Sequence, residues 1–250
     1  MEAHLIIYGF HAVKELLSTH PHLVLEIWSD KEKGDVRQQE IIDLTESEQI
    51  PFNKVDRNTL DKIAGSDKHQ GVVARCKQAK SKTDKELTIF LQQLSNPCPL
   101  FLVLDGVQDP HNLGACLRTA NATAVDAVIA PRNRAVSLTP VVYKVAVGAA
   151  LTVPYFQVTN LVRTLKDLKS HGIWVVGADG AAKKPLYEQE LNGPLAIVLG
   201  AEGSGLRRLT RENCDFLVNI PMLGTTESLN VSVATGVFLY ESFRQRRYNT

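Results

Sequence analysis

Three short stretches of the chain gather the side chains able to do chemistry. Asp105 to Ala120 reads D-G-V-Q-D-P-H-N-L-G-A-C-L-R-T-A, Gly200 to Leu209 reads G-A-E-G-S-G-L-R-R-L, and Ile220 to Asn230 reads I-P-M-L-G-T-T-E-S-L-N. In the first, Asp109-Pro110 marks a turn into a helix, with Asn112 in its first turn and Arg118 two turns in, on roughly the face of Gly114. An arginine so placed presents a fixed fork to a phosphate or carboxylate; a surface salt bridge is the plainer alternative. In the second, three glycines in six residues imply close backbone approach, either to a ligand or within a tight turn. The spacing is neither a P-loop nor a dinucleotide fingerprint. Glu202, a carboxylate among those glycines, is well presented to a ligand. Arg207, Arg208 and Arg211 form a basic edge that suits RNA phosphate, with a solvated helix face as the equal competitor. The third stretch sets Thr225, Thr226, Glu227, Ser228 and Asn230 before a run, Val231 to Tyr240, that is apolar nearly all round. Such a helix calls for burial on every side, and Ser228 or Asn230 would cap it.

The surrounding pattern says what positions these stretches. From Pro99 onward, near-continuous apolar strands (Leu100–Leu104, Ala127–Ala130, Ile173–Ala178, Leu195–Leu199, Phe216–Ile220) alternate with helical segments over 112–123, 139–151, 161–170 and 206–213. That is the pattern of a mostly parallel α/β sheet covered on both faces. Ligands of such sheets sit at the carboxyl ends of the strands, where all three stretches fall. Residues 1–78 form a smaller alternating α/β domain, with strands near 6–9, 23–28, 51–55 and 69–74 and helices over 11–17, 35–49 and 58–63, the last capped by Asn58. Residues 79–97 read as a linker from about Ala79 to Asp84 running into a helix closed by Pro97.

Composition narrows the class. Of 250 residues, 44% are hydrophobic and 22% charged, ordinary for a globular protein. No apolar run approaches a membrane span, and the start of the chain lacks a signal peptide's basic region. Cys76, Cys98, Cys116 and Cys214 show no paired spacing and read as reduced thiols of a cytosolic protein. No His or Cys pattern implies a metal. Residues 1–78 carry 10 Lys and Arg against 13 Asp and Glu, net −3, and residues 98–250 carry 15 against 12, net +3. An anionic partner therefore belongs more naturally with the second part.

Together the three motifs, Asp109–Ala120, Leu199–Leu206 and Ile220–Ala234, in this order and spacing, resemble the SpoU (TrmH-like) RNA ribose 2′-O-methyltransferases of the SPOUT superfamily. I-Y-G-F-H-A-V and H-Q-G-V-V-A in the first part are similar to that family's L30e-like substrate-binding domain. The resemblance implies a deep trefoil knot in a catalytic domain over 98–250, a homodimer, and S-adenosyl-L-methionine as cofactor, with no metal. It is closest to the branch acting on a guanosine of bacterial 23S ribosomal RNA. It also implies cofactor contacts at Gly200, Ile220 and Leu229, and catalysis centred on Arg118 with Asn112, Glu202, Ser228 and Asn230 around it. A guanidinium is too basic to serve as a simple base, so Arg118 is expected to hold the target phosphate and the developing alkoxide. Glu202 would orient Arg118 or take the proton. The alternatives are a tRNA ribose methyltransferase, a resistance enzyme for another ribosomal RNA site, and an RNA-binding assembly factor without catalysis. A nucleotide-dependent oxidoreductase lacks its fingerprint here.

Overall fold

The computed structural model describes residues 4–32, 34, 36–77 and 80–248. Ala79 and Asp35, where the sequence pattern starts the linker and a helix, lie outside them. The chain divides into two compact units, residues 1–80 with 147–152, and residues 81–146 with 153–250.

In the first unit β1 (His4–Tyr8), α1 (Phe10–Thr19), β2 (Val24–Asp30), α2 (Val36–Ser47), β3 (Phe52–Val55), α3 (Arg57–Ala64) and β4 (Val72–Lys77) follow the expected alternation. The sheet order is β1-β4-β2-β3, with β4 antiparallel to both neighbours and β2 parallel to β3. α3 begins one turn-residue earlier than the pattern suggests. Asp56, rather than Asn58, is its cap, accepting from Thr59 N at 3.0 Å.

The second unit opens with α4 (Asp84–Gln92). Thr83 and Glu86 form a reciprocal capping box, Glu86 Oε2 accepting from Thr83 N at 2.7 Å. Leu87 and Leu91 are buried in this unit's core beside Phe101 and Phe156. Most of the segment read as a linker is therefore a packed part of the second unit. Then come β5 (Leu100–Asp105), α5 (Pro110–Ala122), β6 (Ala127–Pro131), α6 (Pro140–Ala146), β7 (Tyr155–Val158), α8 (Leu161–Ser170), β8 (Trp174–Ala178), β9 (Lys184–Pro185), β10 (Leu195–Gly200), α9 (Arg208–Glu212), β11 (Phe216–Asn219) and α10 (Val231–Tyr248); α7 (Ala149–Thr152), between α6 and β7 in the chain, belongs to the first unit. The single helix expected over 139–151 is broken because Val147 and Gly148 take left-handed φ of 49° and 88°, which an α-helix cannot include.

All seven strands of this unit pair in parallel, in the order β7-β6-β5-β10-β8-β11-β9. Fully buried strands explain the continuous apolar runs. α4 and α8 cover one face through Leu87, Leu165 and Leu168. α5 packs against α6 and α10, and α10 also packs on β10. β5 and β10 are neighbours, yet the chain leaves them in different directions. β5 continues outward to β6 and β7, while β10 leads to β11 beyond β8. The carboxyl ends of β5 and β10 thus form a topological switch point, where open α/β sheets hold ligands.

α10 departs from the expectation of burial on every side. Phe238 and Leu239 are fully buried, but Val233 and Tyr240 are 52% and 53% exposed. Its carboxyl half is tied down by Arg246, which donates to Cys98 O at 2.8 Å and Gly193 O at 2.6 Å. Burial lowers this guanidinium's pKa from its ordinary value.

Candidate active site

The site begins where β5 ends. Asp109 Oδ1 accepts from His111 N at 3.0 Å, and Pro110 takes the first helical position, so α5 starts with a defined cap. That fixes Asn112, which is buried, in the first turn. From β10, Gly200 leads into a tight turn closed by a bridge between Ala201 and Gly205. Gly203 and Gly205 take φ of 75° and 63°, which only glycine adopts without strain. A Cβ on Gly200 would overlap the backbone of Gly205. The glycine spacing thus serves the chain's own close approach, the tight-turn alternative.

This turn carries Glu202 to Asn112 and Asn230. Asn112 Nδ2 donates to Glu202 Oε1 at 3.2 Å. Asn230 Nδ2 donates both to Asn112 Oδ1 at 3.0 Å and to Glu202 Oε1. Asn230 Oδ1 accepts from Ser232 N at 2.8 Å, so Asn230, and not Ser228, caps α10. One amide thereby fixes the helix start and joins the site. Glu202 Oε1 takes both amide donors, while Oε2 accepts no hydrogen bond from the described residues.

Two clefts of the second unit share the wall that bears Glu202. The smaller, about 460 Å³, is lined by Asp105, Asp109, Asn112, Arg134 and Glu202 among others. The larger, about 620 Å³, is lined by Gly200, Glu202, Ile220, Ser228 and Leu229, together with Asp179 and Val218. The predicted residues therefore fall into two groups around one carboxylate. Asn112, Glu202 and Asn230 are bonded together. Gly200, Ile220, Ser228 and Leu229 line the larger cleft beside Glu202.

Arg118 stands apart. It is exposed on α5 and makes no hydrogen bond or ion pair with the described residues. Glu202 does not orient it in the single chain, because a six-residue step on a helix turns Arg118 well away from Asn112. Gly114, one turn before Arg118, meets α6, where an added Cβ would lie 2.6 Å from Val145 Cβ.

The basic edge over 207–211 agrees with the solvated-face alternative, since each arginine is paired with a carboxylate and stays partly exposed. Arg207 Nε donates to Asp105 Oδ1 at 2.6 Å, Arg211 Nε lies 2.5 Å from Asp179 Oδ2, and Arg208 Nη1 donates to Glu212 Oε1 at 2.7 Å. Asp105 is fully buried at the end of β5, and its Oδ2 also accepts from Arg207 N at 3.1 Å. This forked pair clamps the Glu202 turn against β5. Its signal in the sequence is a carboxylate directly after L-F-L-V-L. The thiols have no part in the cluster. Cys116 is buried beneath α10, 3.2 Å from Thr235 Oγ1, and burial pushes it up to about 11. Among the described residues no group of His, Cys, Asp and Glu is arranged to hold a metal ion, and no helix is long and apolar enough to cross a membrane.

This geometry sits in a chain with clear relatives. Residues 99–240 match the SpoU rRNA methylase family, and residues 6–82 match a domain described as RNA 2′-O ribose methyltransferase substrate binding. The chain is 50% identical over 242 residues to the 23S rRNA (guanosine-2′-O-)-methyltransferase RlmB of Pseudomonas putida, covering 96% of both chains. A crystal structure of an RNA 2′-O ribose methyltransferase superposes with a TM-score of 0.75 at 25% identity, over 98% of this chain and 90% of the other. The methyltransferase AviRb of Streptomyces viridochromogenes, crystallised with the cofactor AdoMet, shares the fold with a TM-score of 0.76 at 21% identity, over 97% and 90%. The chain belongs to the SpoU rRNA methylase family.

Proposed function

We propose that this protein transfers a methyl group from S-adenosylmethionine to the ribose 2′-hydroxyl of a guanosine in 23S ribosomal RNA. The observation that carries the reading is the pair of clefts meeting at Glu202. The larger is the place for the cofactor, with the backbone of Gly200, Ile220 and Leu229 against its adenosine. The smaller is the place for the target ribose, beside Asn112 and Glu202. A sulfonium already activates the methyl group, so the protein's task is alignment of two substrates, worth roughly 7–11 kcal/mol in the best cases.

Within that alignment the residues divide the work. Asn112 and Asn230 hold Glu202 through Oε1, leaving Oε2 to receive the hydroxyl proton as the oxygen attacks. Ser228 helps to place the ribose. Arg118 holds the target phosphate and the developing alkoxide once RNA and a second subunit are present. The exposed Val233 and Tyr240 on α10 favour a homodimer, because a solvated helix face would carry polar residues there. β11 enters the sheet between β8 and β9, both laid down before β10, and α10 returns to α5; this favours a trefoil knot through the 200–230 loops. Residues 1–78 select the RNA site, residues 98–250 carry the chemistry, and the protein works in the cytoplasm.

The test is incubation of the purified protein with labelled S-adenosylmethionine and total RNA from cells lacking it, followed by mapping of the label. A single 2′-O-methylguanosine is expected. Label in transfer RNA, in another nucleotide, or in none would overturn the assignment.

A further inference from the structure

A third cleft of the second unit, about 580 Å³, opens beside the smaller of the two described above and shares Arg134 and Arg207 with it. Its wall includes Asn133, Thr159, Asn160 and Arg208, and no carboxylate lines it. Three arginines therefore face one cavity. Two are already engaged, Arg207 by Asp105 and Arg208 by Glu212. Arg134 has no carboxylate within ion-pair distance among the described residues, and it is exposed. The cleft also takes in Leu161 and Val162, the first residues of the ten-residue α8, and the amino end of a helix carries partial positive charge. Arg134 itself holds a left-handed φ of 62°. That conformation is uncommon for a residue with a Cβ, and here it sets a cation on the ridge between two cavities.

We infer that this cleft binds a phosphodiester of the RNA strand flanking the target nucleotide, with Arg134 as the cation that holds it. The inference rests on the reading of the smaller cleft as the ribose site. A ribose seated beside Asn112 and Glu202 has its own strand on either side, and the adjoining cavity is positive and free of carboxylates. Arg207, Arg208 and Arg211, which the sequence offered equally as a phosphate-binding edge or a solvated helix face, are each paired with a carboxylate of the chain. Of the three arginines that line this cleft, Arg134 is the one without a carboxylate partner among the described residues. A phosphate contact of this kind positions the strand without reading its sequence. It should therefore act on RNA affinity and leave the cofactor cleft, which Arg134 does not line, unchanged.

The experiment compares the full-length wild-type protein with Arg134→Gly and Arg134→Asn, both of which tolerate a left-handed backbone. The probe is a 23S ribosomal RNA transcript, titrated at several salt concentrations, with S-adenosylmethionine affinity measured alongside. In the variants the slope of log Kobs against log salt should fall by roughly 0.7–0.9, and KM for the transcript should rise. Cofactor affinity should stay at the wild-type value, because Arg134 does not line the cofactor cleft. Arg134→Lys should keep most of the slope, and so should Lys166→Ala, an exposed charge on α8 outside the cleft. An unchanged slope in Arg134→Gly overturns the inference, and so does loss of cofactor binding in both Gly and Asn variants, which would make Arg134 a structural residue. A wild-type protein that methylates no 23S transcript overturns the functional reading instead.

Discussion

Asn230→Asp separates the two duties of Asn230. Its Oδ1 caps α10 through Ser232 N at 2.8 Å and Ser232 Oγ at 2.6 Å. Its Nδ2 donates to Asn112 Oδ1 at 3.0 Å and to Glu202 Oε1. Aspartate is nearly isosteric and still accepts at the cap, where a negative charge is favoured, but it donates to neither partner. A neutral hydrogen bond contributes about 0.5–1.5 kcal/mol net and one to a charged group about 1.5–3. Asn230 is exposed, so water replaces part of each and the low end of the sum, about 2 kcal/mol, is the reasonable figure. At 1.36 kcal/mol per factor of ten this is roughly a thirty-fold loss in kcat/KM. The new carboxylate also stands against Glu202, and like charges in contact oppose joint ionisation. Folding stability should stay close to wild type because the cap survives, whereas Asn230→Ala should lose about 1 kcal/mol more. The assay is single-turnover methyl transfer with urea unfolding in parallel. Wild-type transfer by Asn230→Asp at pH 8 would refute the idea that these amides hold Glu202 for the reaction.

Other consequences are as specific. Arg118→Ala should abolish most methyl transfer while cofactor affinity, read by calorimetry, stays the same; near-normal methylation would remove Arg118 from the mechanism. Phe238→Ala empties a fully buried position on the inner face of α10 and should cost about 3–5 kcal/mol, seen as a lower urea midpoint for the second unit. Cys116, pushed up to about 11 by burial, should have only about one thiolate in a thousand at pH 8. It should resist iodoacetamide until the protein unfolds, and rapid labelling of the native protein would contradict that.

Much of the fold was open to reading because the apolar strands of the second unit leave only one economical arrangement. L-F-L-V-L and L-A-I-V-L have no polar face, so both must be inner strands of a covered parallel sheet, and they pair with each other. Asn112, Glu202 and Asn230 were legible as residues at strand ends. Their direct hydrogen bonding was not, since it depends on β5 and β10 being neighbours. Periodicity also misjudged α10, because an apolar side chain reads alike whether its own chain or another surface covers it. The break at Val147 could not be seen either, since nothing in V-Y-K-V-A-V-G-A-A but the glycine argues against a continuous helix. The pairing of the arginines of 207–211 was not legible for a related reason. Their partners Asp105 and Asp179 lie far away in sequence and meet them only through sheet order.

Whether donor and acceptor meet at Glu202 is read most directly from a crystal structure with S-adenosylhomocysteine bound. The adenosine is expected in the larger cleft against the backbone of Gly200, Ile220 and Leu229, with the sulfur directed toward Glu202, Asn112 and Asn230. A ligand seated in either of the other two clefts, or with its sulfur turned away from Glu202, would contradict it.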